Sequence, residues 1–593
     1  MPMTTARRLR EAGRLVDGMT VLIERLPSCT VCRSEGVSTD GWVTGKRKDG
    51  RAAVLCEPHF QKVGAGLGPE KGQVLIETGP AASIELPRDS VAAGYARAIV
   101  EYRLAVLPSH RLTFIATKGA RRERVEDGRV KVVLPASYAP DPGLIDHLEF
   151  ALKYDGVNLE VLLALFGRVD QAGFEQQLTA FVRERPTGQY GRRLWFLYEL
   201  LTGRRLALDD VSTGNYVELL DEAEFFTGAP VRSRRHRVID NLLGDVRFCP
   251  SVRRTPALER FVTSGLRAEA QRIMDAFDED ALRRAVSYLF TKETRSSFDI
   301  EGEKPGPART QRFVALLRGA AELERITTAD LIRLQNATVD DRFADNGWRT
   351  DQVYVGEQLD LARQKIHYIA PRPVDVGSLM GGLLACARRF EDSTVDAVVQ
   401  AAVISFGFVF IHPFSDGNGR LHRLLIHHVL ARRGFTPKGL IFPVSAVMLD
   451  RRGEYDACLE AFSVPLMRLM DFDEDEAGVI TVKNETVGLY RFFDATTMAE
   501  ALARWVEQTV KVEFRAELDF IVRFRETRRA LEAVVELPDR LMNLFIKVCM
   551  NNAGRISQPK RKQHFAMLSD DEVKAMEKAV KTHMKGAVRA AEE

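Results

Sequence analysis

The sequence has no strong excess of either charge, no long unbroken apolar run and few cysteines. Lys plus Arg total 85 against 82 for Asp plus Glu, a formal net charge of +3 over 593 residues. A chain-wide electrostatic footprint for nucleic acid or a membrane surface is therefore missing, and nucleic acid stays open only as a local option. The basic clusters at 232–237 and 560–562 read as solvated faces. The most apolar stretch, Ala397–Ile411, is broken by Gln400 and Ser405. It falls short of the ~20 residues a membrane span needs and reads as a buried helix. The first residues carry arginines without an apolar h-region, so no signal peptide is expected. The seven cysteines form no disulfide framework: Cys249, Cys386, Cys458 and Cys549 stand singly, which suits a reducing cytoplasm. No repeat of solenoid period is present.

What is present is an ordinary globular composition, 45% hydrophobic and 28% charged, with length for roughly three to five domains. Residues 1–90 are rich in Gly, Val and Thr, with short strand-like runs such as Gly72–Glu77, and read as a small β-rich module. Its Gly64-Ala-Gly-Leu-Gly68 loop is followed by no Gly-Lys-Ser/Thr and reads as a turn. Residues 91–284 read as a helical extension, with apolar residues at helical spacing over 146–166 and 192–202 and punctuation at Gly203 and Gly228. Trp195-Phe-Leu-Tyr198 reads as core. Residues 285–480 are again helix-rich. Residues 490–593 read as a C-terminal helical domain, in which Ser569 and Glu572 form a capping box that opens a helix. The predicted fold class is mainly α.

Within the first module, Cys29-x-x-Cys32 and Cys56-x-x-His59 are two pairs able to supply three thiolates and an imidazole to a tetrahedral Zn²⁺. Lys46 to Gly50, between the pairs, would turn a hairpin as in a zinc ribbon. A small segment with little apolar core would gain from a structural metal. Separate thiols and a redox role for the first pair are the alternatives.

The densest chemistry lies at His412-Pro-Phe-Ser-Asp416-Gly417-Asn418-Gly419-Arg420-Leu-His-Arg423. Proline disfavours helical geometry in the residue before it, so the apolar helix should stop at about His412. Asp416-Gly-Asn-Gly is turn chemistry, and 420–432 reads as a second helix with Leu421, Leu424, Leu425, His428 and Val429 on one face. A helix N-terminus carries free N–H groups and partial positive charge. Gly417, Asn418 and Gly419 would let the backbone form an anion-binding nest. Arg420 and Arg423 suit bidentate contact with phosphate. Asp416 is placed to hold Mg²⁺ beside bound phosphates. His412 is a side chain of the type that titrates near neutral pH and can take a proton from an attacking hydroxyl. Phe414 would pin the loop. A tight interhelical turn with incidental charges is the plainer alternative, and the joint pattern disfavours it.

The same segment resembles, at every defining position, the signature of the Fic (filamentation induced by cAMP) family, His-Pro-Phe-x-Asp/Glu-Gly-Asn-Gly-Arg-x-x-Arg. The resemblance implies transfer of AMP from Mg·ATP to a Ser, Thr or Tyr hydroxyl on a protein. It implies His412 as base, Asp416 as Mg²⁺ ligand, Gly417, Asn418 and Gly419 as the hole for the α- and β-phosphates, and Arg420 and Arg423 as the clamp on the distal phosphates. Ser297-Phe-Asp-Ile-Glu301-Gly302 resembles the family's inhibitory motif, Ser/Thr-x-x-x-Glu-Gly/Asn, as in members with an N-terminal inhibitory segment. It implies that Glu301 pairs with Arg423 and keeps it from the γ-phosphate. Trp348-Arg349-Thr350 through Pro371 resembles the β-hairpin flap, about 353–371, that aligns a target segment by strand addition. The flanking regions look like extensions of bacterial members.

Other readings stay open: removal of AMP with Glu301 orienting water, transfer of another nucleotidyl or phosphoryl group, or an ATP-sensing regulator whose terminal modules bind DNA or protein. The target protein and the oligomeric state, a homo-oligomer included, are not readable.

Overall fold

Capping residues set many of the helix boundaries. In the computed structural model, which describes residues 3–16, 18–126, 128–277, 279–358 and 364–584, the side chains of Asn158, Asp170 and Asp396 accept the first-turn N–H groups of Val161, Gly173 and Val398. Thr327 with Asp330, and Ser569 with Glu572, form reciprocal capping boxes. Gly203 ends Gln189–Thr202 in the left-handed conformation.

The chain folds into two compact units that interleave in sequence: 1–256, 325–422 and 456–500 in the first, and 257–324, 423–455 and 501–593 in the second. The sequence reading divides the chain into contiguous stretches, at 90, 285 and 490; a unit assembled from segments distant in sequence leaves no local signal. The helix Asn418–Arg432 starts in the first unit and continues in the second.

Every sheet among the described residues belongs to the first unit. The N-terminal module holds four strands, Thr20–Ile23, Gly72–Glu77, Val43–Lys46 and Ala52–Leu55 in spatial order. The expected hairpin pairs Val43 with Leu55 and Lys46 with Ala52. A second sheet of Ser90–Ala92, Arg111–Ala116, Arg129–Leu134 and Arg122–Glu126 falls largely within 91–284, the stretch read from the sequence as mainly helical. Its strands are three to six residues long, and a short alternation of Val with a basic residue shows only in Arg129–Leu134, too brief to outweigh the helical runs around them. Phe150, from the helix Leu144–Tyr154, packs on its Ile115, Val132 and Leu134.

The helices Leu159–Arg168, Gln171–Glu184 and Gln189–Thr202 bury Phe166, Phe174, Leu178, Trp195 and Tyr198 in one core. Phe166 meets Phe174 at 5.4 Å and Tyr198 at 5.1 Å. In the 232–237 cluster, Arg235 is not a solvated charge. It donates to Glu199 at 2.8 Å and covers the Trp195 ring at 4.7 Å. Burial would raise the Glu199 carboxyl, yet Arg235 and Trp195 hold it down at about 2.

Ala397–Ile411 is buried from Val398 to Ile411 and runs beside Pro373–Glu391. Phe410, Phe462, Phe493 and Tyr368 cluster at its C-terminal end, with Phe410 4.3 Å from Phe462. Among the described residues no helix is long and apolar enough to cross a membrane.

In the second unit, Glu279–Ile300 lies against Val444–Asp450 and Arg515–Glu532. Lys292 reaches Glu513 at 2.9 Å and Glu517 at 2.6 Å. The C-terminal helices Asp539–Met550, Gln558–His564 and Asp570–His583 close over Met542, Phe545, Phe565 and Met576.

Phe166→Ala, which removes the central ring of the first unit's helical core, should cost about 3–5 kcal/mol. The denaturant midpoint of the full chain measures it, and a loss below about 1 kcal/mol would contradict this packing.

Candidate active site

The site is built where the apolar helix ends. His412 caps Ala397–Ile411 with φ +51, its N–H bonded to the Phe408 carbonyl at 2.9 Å. Its Nδ1 lies 3.1 Å from the Val409 carbonyl oxygen. A carbonyl only accepts, so Nδ1 carries the proton and Nε2 is the lone-pair nitrogen of the neutral ring.

The loop that follows is closed on itself. The Asn418 amide donates to the Phe414 carbonyl at 2.8 Å and its Oδ1 accepts from the Phe414 N–H at 3.1 Å. The sequence reading gave Asn418 to the anion nest; in the structure its side chain braces the turn, and its N–H belongs to the first turn of Asn418–Arg432. Phe414 is fully buried, 5.3 Å from Trp348. Gly417 has φ +87, and a Cβ there would lie 2.9 Å from Val339 Cγ1, so a side chain is excluded on both counts. Asp416, half exposed, accepts from the Gly417 N–H at 2.6 Å and from Arg420 Nη2 at 3.0 Å. Arg420 itself is buried. Gly419 follows in the same helical turn.

Three residues that frame this loop carried no assigned role in the sequence reading. Buried Arg349 donates to the carbonyls of His412 at 2.7 Å, Asp351 at 2.8 Å and Pro371 at 2.6 Å, joining the loop after His412 to the foot of the flap. Burial lowers its guanidinium to about 10, still charged at neutral pH. Asp345 accepts from the Ser415 N–H at 3.0 Å. Buried Gln335 donates to the Asp416 carbonyl at 3.2 Å and accepts from the Asp345 N–H at 3.1 Å. Each lies at least 63 residues before its loop partner, so local periodicity could not have found them.

The flap pairs Tyr354–Gln358 with Gln364–Ile369 antiparallel, with a register shift at Val355 and Gly356. Its tip, 359–363, lies outside the described residues. The Tyr368 hydroxyl donates to the Phe410 carbonyl and Tyr490 to the Ile369 carbonyl, which fixes the flap's base.

In the second unit, Arg423 is 1% exposed. Its Nε donates to Ser297 Oγ at 2.8 Å, and its Nη2 to the Ser297 carbonyl at 2.7 Å and to Glu301 at 2.8 Å. Burial would lower the guanidinium pKa, but Glu301 raises it above the usual value. Among the described residues Nη1 has no hydrogen-bond partner, a buried donor of the kind that costs about 1–3 kcal/mol when unsatisfied. Glu301 is placed by a helix ending. The Glu303 N–H bonds to the Phe298 carbonyl, the Gly302 N–H to Asp299, and Gly302 has φ +72, a Schellman stop. Arg452 donates to the Ile300 carbonyl at 2.6 Å. Two turns earlier, buried Glu293 accepts from the Ser445 N–H at 2.9 Å and lies 2.7 Å from His427 Nε2.

The four candidate zinc ligands also meet: the donor atoms of Cys29, Cys32, Cys56 and His59 lie within 4.8 Å of one another.

Residues 325–430 match the Fic/DOC family. A stretch of 122 residues is 33% identical to the protein adenylyltransferase fic-1 of Caenorhabditis briggsae, covering 20% of each chain. A stretch of 114 residues is 34% identical to the protein adenylyltransferase Fic of Drosophila melanogaster, covering 19% of this chain and 21% of the relative. The chain thus spans about a fifth of the length of the curated relatives it matches. Among solved structures, a Fic family protein from Desulfovibrio desulfuricans G20 aligns over 52% of this chain and 87% of its own at 19% identity with a TM-score of 0.33. A Fic domain containing signaling protein from Bacteroides thetaiotaomicron aligns over 43% of this chain and 96% of its own at 16% identity, also with a TM-score of 0.33.

Arg349→Met should leave helix content intact and speed amide exchange at Ser415 and Gly417 about tenfold or more, since three charge-assisted bonds to the loop and flap are lost. Unchanged exchange at those amides would remove Arg349 from the frame.

Proposed function

We propose that the chain transfers AMP from ATP to a Ser, Thr or Tyr hydroxyl on a protein and is held at low activity by Glu301. The observation that carries this reading is Arg423, which is fully buried, with Nε and Nη2 committed to Ser297 and Glu301 and with no partner for Nη1 among the described residues. A buried guanidinium with a spare donor calls for a second anion, and a phosphate group supplies one. Arg420 lies one turn earlier on the same helix, directly after the turn of Gly417, Asn418 and Gly419 at its N-terminus.

In this reaction the turn and the first N–H groups of the helix hold the α- and β-phosphates, and Arg420 and Arg423 hold the distal end. His412 Nε2 takes the proton from the target hydroxyl as its oxygen bonds to the α-phosphorus. The bond from the α-phosphorus to the bridging oxygen breaks and pyrophosphate leaves. Asp416 fits Mg²⁺, offering one half-exposed carboxylate of hard oxygen donors beside the phosphate turn; the ion would neutralise phosphate charge. The exposed flap strand carrying Val355 would align the target by main-chain pairing. Positioning and charge stabilisation supply most of the rate. Glu301 occupies Arg423 Nη2 and so competes with the distal phosphate.

Intact-mass spectrometry after incubation with Mg·ATP tests both parts. Glu301→Gly should gain AMP about 10- to 100-fold faster than wild type, the equivalent of one charge-assisted bond. Combining it with His412→Ala should cut the rate by ~10²–10⁴. Equal labelling of Glu301→Gly and wild type would refute the brake, and labelling that survives loss of His412 would refute the base.

A further inference from the structure

Outside the nucleotide loop, the strongest constellation is the one between the two short helices of the N-terminal module. Cys29 precedes Thr30–Ser34 and Cys56 precedes Glu57–Val63, so each Cys-x-x-Cys/His pair straddles a helix start. Cys29, Cys32 and Cys56 are buried and unbridged. Cys32 Sγ is 3.7 Å from Cys56 Sγ, far beyond the ~2.05 Å of a disulfide. His59 turns Nδ1 toward all three sulfurs, at 3.2 Å from Cys56, 3.4 Å from Cys32 and 3.6 Å from Cys29.

These lengths are the edges of a coordination tetrahedron. With Zn–S of about 2.3 Å and Zn–N of about 2.05 Å, tetrahedral angles put two sulfurs about 3.8 Å apart and a sulfur and a nitrogen about 3.6 Å apart. Separations of 3.2–3.7 Å also fit hydrogen bonds to sulfur, but the convergence of all four side chains on one point, with the three thiols buried, is the arrangement that a shared metal ion requires. Three thiolates with one imidazole form a donor set that suits Zn²⁺ and does not suit Mg²⁺ or Ca²⁺.

We infer that Cys29, Cys32, Cys56 and His59, the last through Nδ1, bind one Zn²⁺ in a closed, structural site. Four protein ligands fill the tetrahedron, so the ion has no open position for catalysis. Its work is mechanical. The module's core is small (Val43, Ala53, Leu55, Phe60, Leu67 and Val74), and the ion joins the two helix starts that flank its hairpin. Each bound thiol releases its proton on binding, so metal occupancy falls as pH is lowered. The inference stands independently of the adenylyl-transfer reading.

The test uses the untagged full chain. Elemental analysis should find about one zinc per chain. Replacement by Co²⁺ should give the visible absorption of a tetrahedral thiolate site. Cys32→Ser and Cys56→Ser should lose most of the metal, while Cys549→Ser, buried far away in sequence, should keep it. His59→Cys, which preserves a four-ligand set, should retain about one zinc even if the serine variants fold poorly. A chain that binds no zinc after purification or after refolding with Zn²⁺, or a Cys29–Cys32 disulfide in the freshly isolated protein, would overturn the inference.

Discussion

The buried charge of Arg423 constrains everything around it. A guanidinium 1% exposed needs partners, and among the described residues Ser297 and Glu301 accept from its Nε and Nη2 while its Nη1 has none. Glu301 is 37% exposed, which weakens its share through solvent screening. A hydrogen bond to a charged group contributes about 1.5–3 kcal/mol, and this one belongs toward the lower end. That is the size of an ordinary allosteric coupling. The Glu301 carboxylate at the C-terminus of its helix is unfavourable against the helix dipole, and the Arg423 charge offsets that cost.

The loop from His412 to Gly419 is braced separately from that ion pair. Its bonds run from several directions: Arg349 through the His412 carbonyl, Asn418 across Phe414, Gln335 to the Asp416 carbonyl and Asp345 to the Ser415 N–H. Phe414 anchors the loop in the core, and the Val409 carbonyl selects the His412 tautomer. Preorganisation of this kind means little rearrangement is needed when charge develops. Arg349 also bonds Pro371, so a change at the flap's foot is felt at His412 through one side chain.

Local chemistry was legible in the sequence where one residue type has one use. Proline after His412 stopped the helix before it, and Ser569 with Glu572 opened another. The Cys pairs and the pairing of Glu301 with Arg423 followed from spacing and resemblance, and the structure brings both sets together. Less legible were features made by distant contacts. The strands between 111 and 134 are too short for a period-two signal to stand out. The interleaving of the two units depends on which helices pack, as with Glu279–Ile300 against Arg515–Glu532. Arg349 is an arginine among many until its three carbonyl partners are seen. Arg235 looked like solvated charge because its partners Glu199 and Trp195 lie about 36 residues away.

The central claim is that the nucleotide is cleaved at its α-phosphorus and that Glu301 holds this back. The most direct measurement compares ATP labelled at the α-phosphate with ATP labelled at the γ-phosphate in the Glu301→Gly chain. The account predicts protein-bound label from the α-position and none from the γ-position, with little of either in wild type. Label arriving from the γ-phosphate, or equal α-labelling with and without Glu301, would contradict it.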